Sequence, residues 1–551
     1  ITLSGNGLTG TLPPQLAGMF GLRDVDLSGN QISGTLPPEW ASMTALRQLF
    51  LYTNQLRGSL PPEWESLTAM QYLRLEGNNL DGTLPPQWGS MTALQDLRVE
   101  ANDVSGTLPP QWNGMRALRG LHLFNNKING TLPQAWATMT GLQFLRLYGN
   151  NVSGTLPRQW AAMASMNDLY LYDNQLDGTL EWANMAALHY FRLDHNNITG
   201  TLPPEWGNMT GLVDVYLDNN QLGGTLPSEW ANMTALQDLR LDSNGITGTL
   251  PMEWATMTTL RNLNLWTNTV NGSLPPKWAN MASLTHLNLG KNQVSGPLPP
   301  EWANWTTLQV LGLDRNHISG TLPPPWKSMS SLLDLELYSN QLSGTLPPEW
   351  ANMTALQYLY LHDNNIINGT LPPAWGRLMA LRHLYLYNTD IRGNLPPEWA
   401  SMTALQQLHL YNNNINSTLP SHWAHMTGLL SLQLHGNQVS GFLPPQWANM
   451  TALQDLYLDS NSITGTLPPE WAVMTALRVL DLHTNQLSGT VPTAWGNMGS
   501  GSSATPRLIV NIRDNVLGPL CQLPNATWFP VWPANVSVAG TFEPQRYVDP
   551  C

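Results

Sequence analysis

Tyrosine and histidine recur in the second half of the chain at a spacing that would group them on one surface. Within each segment they lie two residues apart, and the segments follow one another every 24 or 25 residues. Tyrosine combines a large, rigid ring with a polar hydroxyl, which suits contact with a protein or a glycan. Stacking of the rings on one another, which would only stiffen the structure, is the alternative. The candidate binding residues are Tyr338, Tyr358, Tyr360, His362, His383, Tyr385, Tyr387, His409 and Tyr411.

Aspartates form a second group in the middle of the chain, with the same spacing. Like charges on adjacent strands destabilise a sheet, so something must offset them. Arg192 and Arg240 lie two residues from Asp194 and Asp242 on the same face and offer one answer. A divalent cation or a basic partner offers two others. Calcium is the metal that all-oxygen ligands favour. The group contains Asp214 and Asp238 together with the weak candidates for calcium ligands, Asp194, Asp218 and Asp242.

No residue pattern typical of catalysis is present in the sequence. It lacks the G-x-S-x-G, H-E-x-x-H and phosphate-loop motifs, and it has no G-x-G-x-x-G between a strand and a helix. A zinc site would need three or four converging ligands, and the nearest histidine pairs have no cysteine or carboxylate partner. The sequence therefore predicts a non-enzymatic protein without a cofactor, apart from the calcium alternative and N-linked glycans.

The two cysteines and the glycosylation motifs favour an extracellular or cell-surface location. Cys521 and Cys551 flank a short terminal segment, which is typical of a capping disulfide in an oxidising compartment, with two free thiols as the alternative. Thirteen asparagines stand in the N-x-S/T motif for N-glycosylation. They are Asn129, Asn151, Asn197, Asn208, Asn232, Asn271, Asn304, Asn352, Asn368, Asn416, Asn449, Asn525 and Asn535.

Charge and hydropathy exclude two classes of partner. The net charge of −13 is spread along the chain without a run of lysine or arginine, so nucleic acid is not expected as a partner. No stretch of about 20 apolar residues is present, so this chain is not expected to span a membrane. The sequence begins inside a repeat at Ile1, and we expect any targeting segment to lie outside it.

A 24-residue period organises the chain. Asparagine recurs at this interval over most of the length, from Asn6 to Asn485. Such a period is typical of a solenoid, in which each repeat is too small to bury its own apolar face. Its interruptions are a repeat shortened near Thr179, one residue added at Ile366 and Ile367, and Thr389 in place of the recurring asparagine.

One repeat, residues 46–69, shows the expected local structure. Leu49 and Leu51 alternate with outward-facing residues as a short strand should. Asn54 ends the strand, and its amide group can satisfy main-chain groups of its own turn and of the neighbouring one. Trp64 follows in a predicted single helical turn and faces inward. Twenty of the 24 tryptophans occupy this position, and the exceptions are Trp266, Trp305, Trp528 and Trp532.

The pattern L-x-x-L-x-L-x-x-N-x-L, present from Leu46 to Leu56, resembles that of leucine-rich repeats. The L-x-G-x-[IL]-P core of each repeat resembles the 24-residue class of plant receptor ectodomains. The fuller string at 224–242, GTLPSEWANMTALQDLRLD, is similar to repeats of trypanosomatid-type protozoan surface antigens and proteophosphoglycans. The resemblance covers roughly residues 1–498 and implies a secreted or surface-anchored glycoprotein that acts in adhesion.

The predicted fold is an α/β solenoid of leucine-rich repeats, shaped as a horseshoe or superhelix. A parallel β-sheet would form its concave side, and short extended segments with 3-10 or helical turns its convex side. About 21 repeats of 24 residues occupy 1–498. Residues 499–551 are expected to hold a flexible insertion, a degenerate last repeat and the disulfide-closed cap.

Two functions compete at this point. The first is an extracellular recognition or adhesion protein that binds a protein or glycan on its concave face. The second is a structural protomer that stacks end to end with copies of itself into a glycosylated fibril, because an exposed parallel edge invites pairing with another chain. None of the glycosylation motifs falls on the predicted concave positions, and this favours recognition.

Overall fold

The structure is a computed structural model of the chain, and it describes residues 1–182, 185–498 and 508–517. Contacts between residues divide the chain into two compact units, Ile1–Val294 and Ser295–Cys551. Within the described residues no α-helix occurs, and none of the helical turns could cross a bilayer.

The predicted terminal cap falls largely outside the described residues. Cys521 and Cys551, with their predicted disulfide, and the motif asparagines Asn525 and Asn535 lie there, so these assignments stay predictions.

Each unit contains a main parallel sheet, to which each repeat contributes one three-residue strand. In the first unit the strands are Asp24–Asp26, Gln48–Phe50, Tyr72–Arg74, Asp96–Arg98, Gly120–His122, Phe144–Arg146, Asp168–Tyr170, Tyr190–Arg192, Asp214–Tyr216, Asp238–Arg240, Asn262–Asn264 and His286–Asn288. In the second unit they are Val310–Gly312, Asp334–Glu336, Tyr358–Tyr360, His383–Tyr385, Gln407–His409, Ser431–Gln433, Asp455–Tyr457, Val479–Asp481 and Ile509–Asn511.

A second set of strands, two to five residues long, follows the recurring asparagine in most repeats. In the first unit these are Thr9–Thr11, Gln31–Gly34, Gln55–Ser59, Asn79–Asp81, Ser105–Thr107, Lys127–Asn129, Ser153–Thr155, Gln175–Asp177 and Asn271–Ser273. The strand Gln293–Pro297 spans the division between the units. In the second unit they are His317–Thr321, Gln341–Thr345, Ile366–Asn368, Arg392–Gly393, Asn414–Ile415, Ser440–Phe442, Ser462–Thr466, Gln486–Gly489 and Val516–Leu517.

Five-residue 3-10 turns complete the repeats on the side away from the main sheet. In the first unit they are Pro14–Gly18, Pro38–Ser42, Pro62–Ser66, Pro86–Ser90, Pro110–Gly114, Gln134–Thr138, Arg158–Ala162, Pro204–Asn208, Ser228–Asn232, Met252–Thr256 and Pro276–Asn280. In the second unit they are Pro300–Asn304, Pro324–Ser328, Pro348–Asn352, Pro373–Arg377, Pro397–Ser401, Ser421–His425, Pro445–Asn449, Pro469–Val473 and Thr493–Asn497. The predicted leucine-rich repeat solenoid is thus confirmed.

The register of the main sheet places equivalent residues of successive repeats side by side. Leu49 lies opposite Leu73, and Phe50 lies opposite Arg74. The central residues, mostly leucines, are buried, while in most strands the residues on either side of them stay partly exposed. This alternation separates an inward face, which forms the core, from an outward face that meets solvent.

The recurring asparagine joins neighbouring repeats through its side-chain amide. The Asn54 Nδ2 group donates to the carbonyls of Leu51, in its own repeat, and of Leu27, in the preceding one, at 3.1 and 3.0 Å. Its Oδ1 accepts the backbone N–H of Ile32, also in the preceding repeat, at 3.0 Å. The side chain therefore satisfies buried main-chain groups where the strand ends, as the sequence predicted.

A strained residue precedes this asparagine in most repeats. Thr53 has φ of 54°, in the left-handed region that residues with a Cβ rarely adopt. This conformation costs roughly 1 kcal/mol per residue. The hydrogen bonds of Asn54 follow directly in the chain, and they hold the turn in this conformation.

The tryptophans form a second buried column. Trp64 is fully buried, and its indole Nε1 donates to the carbonyl of Pro37 in the preceding repeat at 3.0 Å. Its ring lies 6.3 Å from that of Trp88, with 7° between the planes. Because burial leaves each indole N–H without water, the proline carbonyl supplies the partner that it needs. The predicted inward orientation is confirmed.

We predict that Asn364→Ala lowers the free energy of unfolding by about 3 kcal/mol, because it leaves buried main-chain groups without partners. Asn364 is fully buried, and its Nδ2 lies 3.0 Å from the Leu337 carbonyl. Its Oδ1 accepts from the backbone N–H of Leu342 at 3.1 Å. Urea denaturation followed by tryptophan fluorescence measures the loss.

The adjacent Asn365 provides a matched control, since it is exposed and the same substitution is available. We expect Asn365→Ala to change stability by less than about 0.5 kcal/mol. Equal losses for the two variants would show that the buried amide has no special role.

Candidate functional site

The outward face of the main sheet brings the predicted binding residues together. The strands Tyr358–Tyr360 and His383–Tyr385 pair in parallel, so Tyr358 lies opposite His383 and Tyr360 opposite Tyr385. The main-chain pairing continues past the strands, because the N–H of Asp363 bonds to the carbonyl of Tyr387. Each repeat therefore presents three outward side chains in a row, and equivalent positions form columns across the repeats.

Five rings of one column stack face to face, and we call this set the ring ladder. It comprises Tyr338, His362, Tyr387, Tyr411 and His435. Successive ring centroids lie 4.5, 4.3, 4.3 and 4.4 Å apart. The interplanar angles are 9°, 23°, 9° and 10°. His435 was absent from the predicted set, although its 24-residue distance from Tyr411 signals its place.

The remaining predicted residues form a second row of contacts beside the ring ladder. Tyr385 and His409 stack at 4.3 Å with 4° between their planes. The Tyr360 hydroxyl lies 3.0 Å from Nδ1 of His383. Tyr358 meets the edge of the His383 ring at 5.0 Å. The stacking that the sequence left as an alternative is thus the arrangement found.

Stacking decides which parts of these rings a ligand can contact. Inside the ring ladder each ring has a neighbour on both faces at roughly the closest distance for aromatic stacks. Nearly all of these side chains are half-buried, and only His362, at 8% exposure, is buried. The accessible parts are therefore ring edges and tyrosine hydroxyls, whereas the Nδ1 atoms of His362 and His435 are buried.

Burial keeps the histidines of this surface neutral. It lowers the pKa of His362 to about 4, while Asp363 opposes this shift and Arg315 adds to it. It also lowers the pKa of His409 to about 4, with nearby histidines adding to the effect. These imidazole rings are therefore uncharged at neutral pH, although the charged side chains of Asp363 and Arg315 lie near the ring ladder.

An acidic group borders the ring ladder at Tyr338, and the sequence analysis did not identify it. Burial raises the pKa of Asp334 to about 6. Burial and the neighbouring Asp334 and Asp314 raise the pKa of Glu336 to about 7. Oδ1 of Asp334 is buried without a hydrogen-bond partner. Because their pKa values are raised, these carboxyl groups at the margin of the ring surface lose their protons only at higher pH than usual.

Two of the five aspartates, Asp194 and Asp238, are paired with arginine, so the first alternative holds in part. Arg192 binds both oxygens of Asp194, with Nε–Oδ1 and Nη2–Oδ2 distances of 3.2 and 3.0 Å. Arg240 differs from expectation, because it bonds to Asp238 at 3.2 Å instead of Asp242. Asp242 accepts a hydrogen bond from Asn264 at 2.8 Å.

The structure brings together only some of the residues that were predicted to bind calcium. Ligand atoms of Asp194, His195 and Asp218 lie within 4.8 Å of one another, and Asp242 is outside this group. Calcium takes six to eight oxygen ligands, whereas Arg192 already occupies both oxygens of Asp194. These residues fit calcium poorly, and the site stays a prediction. A similar group in the second unit consists of Asp459, Asp481 and His483.

The described glycosylation motifs avoid the outward face. Five asparagines end 3-10 turns, and the others lie on or near the second set of strands. All except Asn368, which is half-buried, are exposed. Glycosylation stays a prediction, and these positions leave the outward face accessible. The asparagines are Asn129, Asn151, Asn197, Asn208, Asn232, Asn271, Asn304, Asn352, Asn368, Asn416 and Asn449.

Sequence-family models match several parts of the chain. The model described as leucine-rich repeat region matches residues 372–495, and a leucine-rich repeat model matches 306–366. A single-repeat model matches at 21–43, 69–91, 187–209, 283–305 and 355–378. No curated protein matches the chain.

Among solved structures, a plant peptide hormone receptor, RGFR1, in complex with RGF2 is similar at 29% identity and a TM-score of 0.85. The match covers 94% of this chain and 86% of that one. The Arabidopsis receptor kinase HAESA, in complex with the peptide hormone IDA and the co-receptor SERK1, is 28% identical with a TM-score of 0.83. This match covers 94% of the present chain and 86% of the HAESA chain.

These findings support the plant-type part of the resemblance and give no support to the protozoan surface antigens. The chain is a leucine-rich repeat protein with the fold of plant receptor-kinase ectodomains.

Proposed function

We propose that the chain is an extracellular or cell-surface recognition protein without enzymatic activity, and that its outward face binds a polypeptide ligand. The observation that carries this proposal is the ring ladder, in which five stacked rings line a solvent-facing sheet surface. Aromatic side chains held rigid by packing lose little entropy when they bind, which favours recognition.

The stacking favours a polypeptide over a glycan as ligand. A sugar that stacks on an aromatic ring needs a free ring face, and the inner faces of the ring ladder are covered by neighbouring rings. The Tyr387 and Tyr411 hydroxyls interact with each other. Because a hydroxyl group can donate one hydrogen bond and accept others, this pair keeps capacity to bond a ligand. Peptide main-chain groups complement such a surface.

The similar receptor structures support the same choice, because two of them are complexes with named peptide hormones or peptides. Those ligands belong to those receptors, and their chemistry is not transferred to this chain. Adhesion would follow if the bound polypeptide were fixed to a surface. End-to-end stacking into a fibril stays an untested prediction.

We predict that a library of random twelve-residue peptides displayed on phage yields ligands that bind at the ring ladder. The double variant Tyr387→Phe with Tyr411→Phe keeps the rings and removes two hydroxyls. We expect it to weaken the selected peptides roughly tenfold, since hydrogen bonds to two lost hydroxyls contribute about 1 to 2 kcal/mol. Fluorescence anisotropy with labelled peptides measures the affinity.

Lys327→Ala supplies the control, because Lys327 is exposed on the 3-10 turn Pro324–Ser328, away from the sheet. Its affinity for the same peptides should equal that of the unaltered chain. The proposal is wrong if the selected peptides bind the double variant as tightly as the unaltered chain. It is also wrong if a glycan array gives ligands where the peptide library gives none.

The neutral histidines predict a specific pH dependence of stability. The lowered pKa of His362 means that the unfolded chain binds more protons between about pH 4 and 6.5. The stabilising contribution is present above pH 6.5 and is lost as the pH falls towards 4. Between pH 7.5 and 5 we expect His362 alone to account for a loss of about 2 kcal/mol.

Urea denaturation of His362→Phe at the two pH values isolates this contribution, because phenylalanine keeps the stacked ring and cannot titrate. The variant should lose about 2 kcal/mol less stability on acidification than the unaltered chain. Glu336, whose pKa is raised to about 7, acts in the opposite direction in both proteins. His422→Phe, at an exposed turn position, should lose as much stability between pH 7.5 and 5 as the unaltered chain. The account is contradicted if His362→Phe also loses as much stability as the unaltered chain.

A further inference from the structure

Glu76 and Glu100 form an acidic notch on the outward face of the first unit, far in sequence from the ring ladder. The N–H of Gly77 bonds to the carbonyl of Glu100, so the two glutamates are opposite each other on adjacent repeats. Glu100 is only 7% exposed, and Glu76 is half-buried. One carboxylate oxygen of each, Oε2, is buried without a hydrogen-bond partner.

The nearest basic side chains turn away from the notch. Arg98 stands two residues before Glu100, but its Nε donates to Oδ2 of Asp96 at 2.9 Å. Arg74 also approaches Asp96, at 3.7 Å, and its guanidinium lies over the Phe50 ring at 5.3 Å. Among the ion pairs of the described residues, none includes either glutamate. The two negative charges are therefore not offset by a neighbouring arginine contact.

The same sheet shows how such a position is completed elsewhere. Phe124, the column neighbour of Glu100, begins a stack that continues through Tyr148 to Tyr172 with centroid spacings of 4.3 Å. At the far end the guanidinium of Arg192 caps the Tyr172 ring at 4.0 Å and binds Asp194 through two hydrogen bonds. At the near end the ring and the carboxylates are present, and the capping cation is missing.

We propose that Glu76 and Glu100 bind an arginine or lysine side chain of a polypeptide ligand, which caps the Phe124 ring as Arg192 caps Tyr172. That the cation belongs to a polypeptide rests on the function proposed above, whereas the existence of the cation site does not. Charge-assisted hydrogen bonds from a guanidinium to the two carboxylates would offset their negative charge. The ring adds cation–π attraction on the side where its face is not stacked.

The protonation of the notch agrees with this assignment. Burial and the neighbouring charge of Glu76 raise the pKa of Glu100 to about 7. The charged groups around the pair are Arg74 and Arg98, which favour ionisation, and Asp96, which opposes it. A bound cation would lower this pKa, so binding should strengthen as the pH rises from 6 to 8.

The test uses saturation-transfer NMR with the full chain and acetyl-glycyl-arginyl-glycinamide as the probe. Its neutral isostere, with citrulline in place of arginine, is the matched ligand control. We expect the arginine probe to bind at pH 8 about tenfold more tightly than the citrulline probe. Glu100→Gln and Glu76→Gln should each remove this preference, while Glu63→Gln, at an exposed position on a 3-10 turn, should keep it.

Equal binding of the two probes, or a preference that survives both notch variants, would overturn the proposal and leave a proton shared by the two carboxyl groups as the explanation. Calcium binding by calorimetry that is lost in Glu100→Gln, without arginine binding, would overturn it in favour of a metal. Circular dichroism verifies that each variant folds. If the arginine probe binds but the random peptide library gives no ligand, the cation site stands and the polypeptide function proposed above fails.

Discussion

The side-chain amide of one asparagine per repeat is the interaction on which the rest of the structure depends. In most repeats it joins the end of its own strand to two main-chain groups of the preceding repeat. A 24-residue segment cannot bury its apolar face alone, so each repeat is stable only against its neighbours. The amide fixes the register between them, and the indole-to-proline bond repeats this link on the opposite side. Hydrogen bonds from two side chains at fixed positions thereby orient a core of leucine and tryptophan.

Because asparagine and tryptophan hold the repeats together, the side chains on the outward face can vary in type. Its side chains are not needed for the register, so they can be charged, aromatic or small. Where rings recur at one column they stack at the spacing imposed by the strands, as from Tyr338 to His435. Where acids recur they are offset by arginine, as at Asp194, or stay unpaired and hard to ionise, as at Glu100 and Glu336. The chemistry of the face is thus set by neighbours along each column.

The sequence was sufficient for the scaffold and insufficient for the site. The 24-residue period, the alternation around Leu49 and the inward place of Trp64 follow from periodicity, which the structure confirms. Periodicity also placed the ring residues in columns. It could not say whether Tyr387 and His362 stack or stand apart, because this depends on side-chain rotamers. It could not foresee that Arg240 and Arg98 each bind the aspartate two residues before them. The bond of Arg98 to Asp96 leaves Glu100 without an arginine ion pair among the described residues.

The most direct test of the central claim is hydrogen exchange of amides that donate to the recurring asparagines. The N–H of Ile463 bonds to Oδ1 of Asn485 at 2.9 Å, outside the main sheet. If the asparagines hold the repeats together, this amide exchanges as slowly as those of the adjacent strand Asp455–Tyr457. Exchange at the rate of an exposed turn amide such as that of Asn365 would show that the side-chain amides do not hold the solenoid together.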